Sequence, residues 1–157
     1  MGESEQQRHD ANAGGAANDP FAGGGEAGAR LRAIDWTAKP IGPVAGWPQS
    51  LRTALSICLA SRHPICILWG PDRLYLYNDA YAPIVGSKHL WALGESYITV
   101  WPEIWDTVIR PILERVEATG EASWADDLLL VLHRHGFNEE CYFAFSFAPI
   151  RVEDGSV

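Results

Sequence analysis

Between Ile65 and Tyr81 the chain reads Ile65-Cys66-Ile67-Leu68-Trp69, Gly70-Pro71-Asp72-Arg73, Leu74-Tyr75-Leu76-Tyr77, Asn78-Asp79-Ala80-Tyr81. Two short apolar runs flank a Gly-Pro-Asp turn, which predicts a strand, a turn and a second strand. Asn78 follows the second run directly. Its side-chain oxygen can accept from backbone N–H groups two or three residues on, so a helix is expected to begin there. A hairpin running straight into a capped helix narrows both the folds open to the chain and the work it can do.

The flanking segments supply the rest of the architecture. Ile34 to Pro48 holds Pro40, Gly42, Pro43 and Gly46, so it reads as an irregular arm anchored by Trp36 and Trp47. Pro48 suits a first helical position. From there Leu51, Ala54, Leu55, Cys58 and Leu59 form one apolar stripe at helical spacing. His63-Pro64 ends that helix, because the residue before proline is pushed out of the helical region. Gly86 to Gly94 reads as a loop or short turn. Glu103 to Thr119 is the clearest helix, with Ile104, Trp105, Val108, Ile109, Ile112, Leu113 and Val116 in phase and Gly120 as its stop. Pro111 lies inside it and removes the bond to the Thr107 carbonyl, so a kink is expected there. Trp124 to Arg134 and Glu140 to Ile150 are expected strands joined by His135-Gly136-Phe137-Asn138. In the second of these Cys141, Phe143, Phe145 and Phe147 share one face. Hairpins at both ends with helices between imply an α+β fold, an antiparallel sheet with helices packed on one face.

Residues 1–29 are rich in Gly and Ala, with Phe21 the one aromatic, and are expected to form a disordered tail. The folded domain is then 30–157, which contains all seven tryptophans. The formal charge is −8 and the isoelectric point about 5.0. No Lys/Arg cluster offsets that charge, so no nucleic-acid partner is expected. No apolar run approaches the roughly 18–20 residues that span a bilayer, so no membrane role is expected. Cys58, Cys66 and Cys141 are odd in number, far apart and in apolar surroundings, which suits a reduced cytoplasmic compartment.

Catalytic patterns are sparse. His133 and His135 lie near Glu139, Glu140 and Cys141, a set that zinc could use. They also flank a hairpin tip, where polar residues belong, and the solvated turn is the preferred reading. Asp126-Asp127 beside His133 suggests an acid–base pair, but neighbours in a regular strand point to opposite faces and would not converge. No phosphate-binding glycine loop, nucleophile elbow or His-Glu-x-x-His motif is present. No enzymatic activity is expected of these residues.

The ordered motifs resemble the PAS sensor family, closest to PAS domains at the N-terminal end of bacterial sensor histidine kinases. The likeness lies in Asp35-Trp36, Gly42-Pro43 and Trp47-Pro48-Gln49-Ser50-Leu51-Arg52. It continues through Trp69-Gly70-Pro71 and Tyr77-Asn78-Asp79-Ala80-Tyr81, then Gly86, Lys88-His89 and Leu93-Gly94. Val100-Trp101-Pro102-Glu103-Ile104-Trp105 follows, and the last stretch is His135-Gly136, Glu140, Tyr142-Phe143 and Phe145-Ser146. It covers about Ala29 to Val157. The resemblance implies a five-stranded antiparallel sheet with helices over one face and a small pocket between. It implies a role in two-component signal transduction, in which a small apolar or aromatic ligand, or a partner, modulates a linked histidine kinase or other output domain. Any kinase activity would lie outside these residues. A homodimer is expected, and a ligand-free dimerisation module is the alternative reading.

The pocket candidates are Trp69, Tyr77, Tyr81, Trp101, Trp105, Phe143 and Phe145, with Asn78 and Ser146 as further polar groups. These aromatics would serve equally to fill the core. The cofactor is left unassigned. A flavin adduct is not expected, because none of the three cysteines stands in an Asn-Cys-Arg context. Haem is not expected either: the helix from Glu103 to Thr119 carries no histidine, leaving only His89 in the preceding loop. In the resembled fold a fifth strand lies between the two hairpins. Arg151 to Val157 resembles the turn leading to it, with Asp154-Gly155 as the turn signal, so the sequence reads as incomplete at that strand. Four strands in two separated hairpins are then expected, with an unpaired edge on each.

Overall fold

Strand β1 (Cys66–Trp69) pairs antiparallel with β2 (Leu74–Tyr77), placing Cys66 opposite Tyr77 and Trp69 opposite Leu74. The turn between them needs a left-handed backbone at both ends, supplied by Gly70 at φ 69° and, less comfortably, by Arg73 at φ 53°. The computed structural model that shows this describes residues 19–157. Every residue of β2 is buried. Its outer edge is covered as well: the Gly94 amide donates to the Tyr75 carbonyl, and the Tyr75 and Tyr97 amides donate to the carbonyls of Glu95 and Arg73, at 2.8–2.9 Å.

Helix α1 (Gly25–Ala33) and α2 (Gln49–Ala60) precede this hairpin. Pro48 stands just before the first turn of α2, one position earlier than its composition suggested. Leu51, Leu55, Cys58 and Leu59 of the expected stripe are buried, while Ile57 points outward with 63% exposure. After β2, a 3₁₀ turn at Asp79–Tyr81 leads into three short helices, α3 (Ala82–Val85), α4 (His89–Ala92) and α5 (Tyr97–Val100).

The long helix read over Glu103–Thr119 is interrupted. It comprises α6 (Pro102–Ile104), a π-helical turn (Trp105–Ile109) and α7 (Arg110–Thr119). Pro111 is the physical cause. It has no N–H to give the Thr107 carbonyl, and its ring crowds that position. The wider turn just upstream takes up the mismatch, with the Arg110 amide donating to the Trp105 carbonyl. Gly120, at φ 66°, ends α7 by donating to the Val116 carbonyl at 2.8 Å.

Strand β3 (Ser123–Leu132) pairs antiparallel with β4 (Glu139–Phe147). Burial alternates along all of β4, with Cys141, Phe143, Phe145 and Phe147 turned inward. The pairing of β3 shifts between Ala125 and Leu128, so Asp126 and Asp127 sit in a bulge and both are exposed. The regular-strand geometry assumed for that pair therefore does not apply. The fold is α+β, with helices and two antiparallel sheets of two strands each, β1–β2 and β3–β4.

The boundary expected at residue 30 is corrected. Part of the Gly/Ala-rich segment is packed structure: α1 begins at Gly25, and Phe21 is 4% exposed in the core. The Phe21 ring lies 5.8 Å from Trp47 and 6.3 Å from Trp36, and those two tryptophans meet edge-on at 4.9 Å. The glycines here permit close approach, since a Cβ on Gly28 would stand 2.7 Å from the Phe21 carbonyl oxygen. Asp79 closes the other end of the contact, accepting from the Glu26 and Ala27 amides at 3.0 and 2.6 Å. The rest of the expected tail, residues 1–18, lies outside the described residues.

Candidate functional site

The two hairpins leave a gap between them, and the helices form its base. A cleft of about 340 Å³ runs along it. One wall is Pro64, Ile65 and Cys66; the opposite wall is Phe143 through Phe147. Tyr81, Ile84, Tyr97, Trp101, Ile104 and Ile109 make the helical side, and Leu130 and Leu132 complete it. The lining is mostly apolar with a few polar groups, as small-molecule sites are.

Most of those polar groups belong to a packed cluster of tyrosines. The Tyr75 hydroxyl, behind the cleft, accepts from the Trp101 indole N–H at 3.4 Å. The rings of Tyr75, Tyr77, Tyr81 and Tyr97 pack with centroids 4.8–6.0 Å apart. Burial raises the pKa of Tyr75, Tyr81 and Tyr97 well above the phenolic range, so all three stay neutral donors. Burial also pushes the Cys66 thiol up to about 11, against a smaller opposing effect of Tyr81, and the Cys58 thiol up to about 12, with Cys66 adding to it. Both are thiols rather than thiolates at neutral pH, and the nucleophile in cysteine chemistry is the thiolate. Cys66 thus offers the cleft a soft, weakly polar surface.

The sequence candidates divide between this cleft and the packing around it. Tyr81, Trp101, Phe143, Phe145 and Ser146 line it. Tyr77 is fully buried behind it, with its hydroxyl 2.9 Å from His89 Nδ1. Trp105 is buried against Tyr97, with ring centroids 6.3 Å apart. Trp69 lines two other depressions, one of about 400 Å³ beside Lys39 and Glu95 and one of about 560 Å³ between β1, α7 and the end of β4. Asn78, 1% exposed, is committed to the scaffold. Its oxygen accepts from the Ile65 and Tyr81 amides at 3.2 and 3.1 Å. Its amide group donates to the Cys58, Ser61 and His63 carbonyls at 3.0, 3.0 and 2.8 Å. It therefore ties the end of α2 to the start of the 79–81 turn.

Cys66, Tyr75, Tyr97 and Ile109 belong to the site without having been singled out. Tyr97 lies in a four-residue helix too short to show a period. Ile109 is the last residue of the π turn, where the helical phase departs from the α-helical period.

His89 does not line the cleft; its ring lies beside Tyr77, and Nε2 is 3.8 Å from Glu26. His133 and His135 fall beyond the end of β3, where each is engaged locally, His133 with Asn138 at 3.2 Å and His135 with Glu139 at 2.8 Å. Among the described residues no group of three His, Cys, Asp or Glu side chains is placed to hold a metal. Among them, too, no helix is long and apolar enough to cross a membrane.

One ion pair holds the helical base of the cleft to β3. Lys88 donates to Glu103 at 2.9 Å and to the Val100 carbonyl at 2.7 Å, with its ammonium 4.1 Å from the centre of the Trp101 ring. Glu103 also accepts from the His133 amide at 2.9 Å. Burial pushes the Glu103 carboxyl up, but the bonds from Lys88 and His133 outweigh it and hold the group below its ordinary value. A carboxylate lowered in this way stabilises the fold above its ordinary value, near pH 4.3, and the contribution is lost as pH falls through the lower folded value. Glu103→Gln is expected to lower stability at pH 7 by on the order of 1 kcal/mol, allowing for partial exposure. Thermal melts from pH 7 to pH 3 should show the gap to the wild type closing on the acid side; a gap independent of pH would contradict this.

No protein-family model matches the chain, and a search of curated proteins finds no match.

Proposed function

We propose that this chain is a sensory domain of PAS-like architecture. In this reading the cleft between hairpins and helices takes a small apolar or aromatic ligand, and its occupancy modulates a linked or partner signalling protein, such as a histidine kinase. The observation that carries the reading is the cleft itself. Its apolar walls converge on neutral hydroxyls at Tyr81 and Tyr97, which can orient one polar atom of a bound molecule. The succession of hairpin, short helices, long interrupted helix and hairpin agrees with it. So does the use of Asn78, which joins a strand end, a helix end and a turn within one motif.

A second reading, a ligand-free dimerisation module, is favoured by the outer face of β3–β4. There Trp124 is 69% exposed and Tyr142 63%, with Leu129 and Val131 beside them.

Indole, a planar molecule with one N–H, is a suitable probe for the first reading. At about a hundred times its dissociation constant, a ligand specific to the native state stabilises by about 2.7 kcal/mol. That corresponds to a rise of roughly 5–11 °C in melting temperature. Phe145→Arg, which places a charge in the cleft wall, should abolish the rise. Failure of indole and of a panel of similarly sized aromatics to shift the wild type, or an equal shift in the variant, would count against a ligand cleft.

A further inference from the structure

Two helices lack the charge that would complement one of their ends, and a single turn supplies both charges. Helix α2 starts at Gln49; Pro48 before it offers no capping side chain, and its first turn holds no acidic residue. Helix α7 ends at Thr119 with no basic residue in its last turn. Free amides at a helix start carry partial positive charge and free carbonyls at a helix end partial negative charge. An anion at the first and a cation at the second are therefore stabilising. The anion for α2 is Glu153, 103 residues further along the chain. Its Oε1 accepts from the Ser50 amide at 2.9 Å and its Oε2 from the Ser50 hydroxyl at 3.2 Å. The bond from the Ser50 amide holds that carboxyl below its ordinary value. The cation for α7 is Arg151, whose guanidinium donates at 3.1 Å to the carbonyl of Gly120, the residue that ends the helix.

The two anchors are joined by a tight turn. The Val152 amide donates to the Ser156 carbonyl and the Gly155 amide to the Val152 carbonyl, both at 2.9 Å. Asp154 accepts from the Ser156 amide at 2.9 Å, and Gly155 takes the left-handed backbone the turn needs, at φ 86°. Arg151 also donates to the Gly155 carbonyl at 3.4 Å, which ties the cation to the turn itself. Neither anchor can shift without carrying the other. We infer that residues 151–156 form an electrostatic clasp across the start of α2 and the end of α7, fastened and released as one unit. Arg151 and Glu153 are exposed and Ser50 is half-buried, so each anchor alone holds weakly and the closed state rests on the two together. Helix α7 continues directly from the π turn whose Ile109 lines the cleft, so the clasp links the helical side of the cleft to α2. It is a conformational device of the surface and stands independently of the sensory reading.

The test is hydrogen exchange of the Ser50 amide, followed by NMR in the whole chain at pH 7. An amide in the first turn of a helix has no partner within the helix, so its protection reports the bond to Glu153. Glu153→Ala should speed its exchange about fivefold, the order expected from losing two charge contacts at helix ends. Arg151→Ala, which removes a side chain bonded to neither Ser50 nor Glu153, should speed it by a similar factor. Arg151→Lys keeps the cation and should keep most of the protection. The Tyr75 amide, which donates to the Glu95 carbonyl within the core, should exchange alike in all four proteins and show that the fold is intact. Unchanged Ser50 exchange in Glu153→Ala would overturn the inference. So would faster exchange in Glu153→Ala with none in Arg151→Ala, which would make Glu153 a local cap and not half of a clasp.

Discussion

Asn78→Ala is expected to lower the melting temperature by roughly 6–12 °C, from a loss of about 3 kcal/mol at 2–4 °C per kcal/mol for a domain of this size. The side chain is 1% exposed and serves two amides and three carbonyls. Truncation leaves those groups without their partner in a place water reaches poorly, and each unsatisfied buried group costs about 1–3 kcal/mol. Asn78→Asp sharpens the test. It keeps the acceptor for Ile65 and Tyr81 but turns an anion toward the carbonyls of Cys58, Ser61 and His63. Its carboxyl should titrate above the ordinary value near 3.9 in the folded state. The penalty is then small below that pH and grows as pH rises toward the folded value. Melts of the wild type and Asn78→Asp should coincide most closely near pH 4 and diverge toward pH 7. A constant difference would show that Asn78 does not hold these carbonyls.

Phe21→Ala is expected to be at least as damaging, in the range of about 3–5 kcal/mol for a buried aromatic reduced to alanine. The ring is 4% exposed against Trp36 and Trp47, and little beside it can collapse to fill the space. The measurement discriminates sharply. Were residues 19–29 part of a disordered tail, the substitution would leave a chemical denaturation midpoint unchanged. Packed as described, it should lower the midpoint while leaving the slope of the transition close to that of the wild type.

These two residues also show where sequence was informative and where it was not. The period of two along β4 and the helical stripe of α2 are local patterns; the first holds from Glu139 to Phe147, short of the expected Ile150, and four of the five stripe residues are buried, with Ala54 half-buried. Phe143 and Phe145 could be placed at the cleft because their strand was legible, whereas Trp101 lies between two short helices that no period marks. Asn78 was legible as a cap, yet its bonds to the end of α2 join residues 15–20 apart, which no local pattern encodes. The glycines before and within α1 read as disorder because Gly carries a high ordering entropy. Their use in close packing emerges only once Phe21 and Leu59 are beside them. At Pro111 the missing bond was visible, but whether the chain bends or widens into a π turn depends on what it packs against. The bulge at Asp126-Asp127 was hidden for the same reason, since pairing register belongs to two strands and not to one.

The most direct test of the sensory reading is native mass spectrometry of the purified chain. A bound small molecule at one per chain, lost when Phe145→Arg charges the cleft wall, is the predicted result. A clean unliganded dimer, unchanged by Phe145→Arg and dissociated by Trp124→Glu on the exposed face of β3, would contradict it.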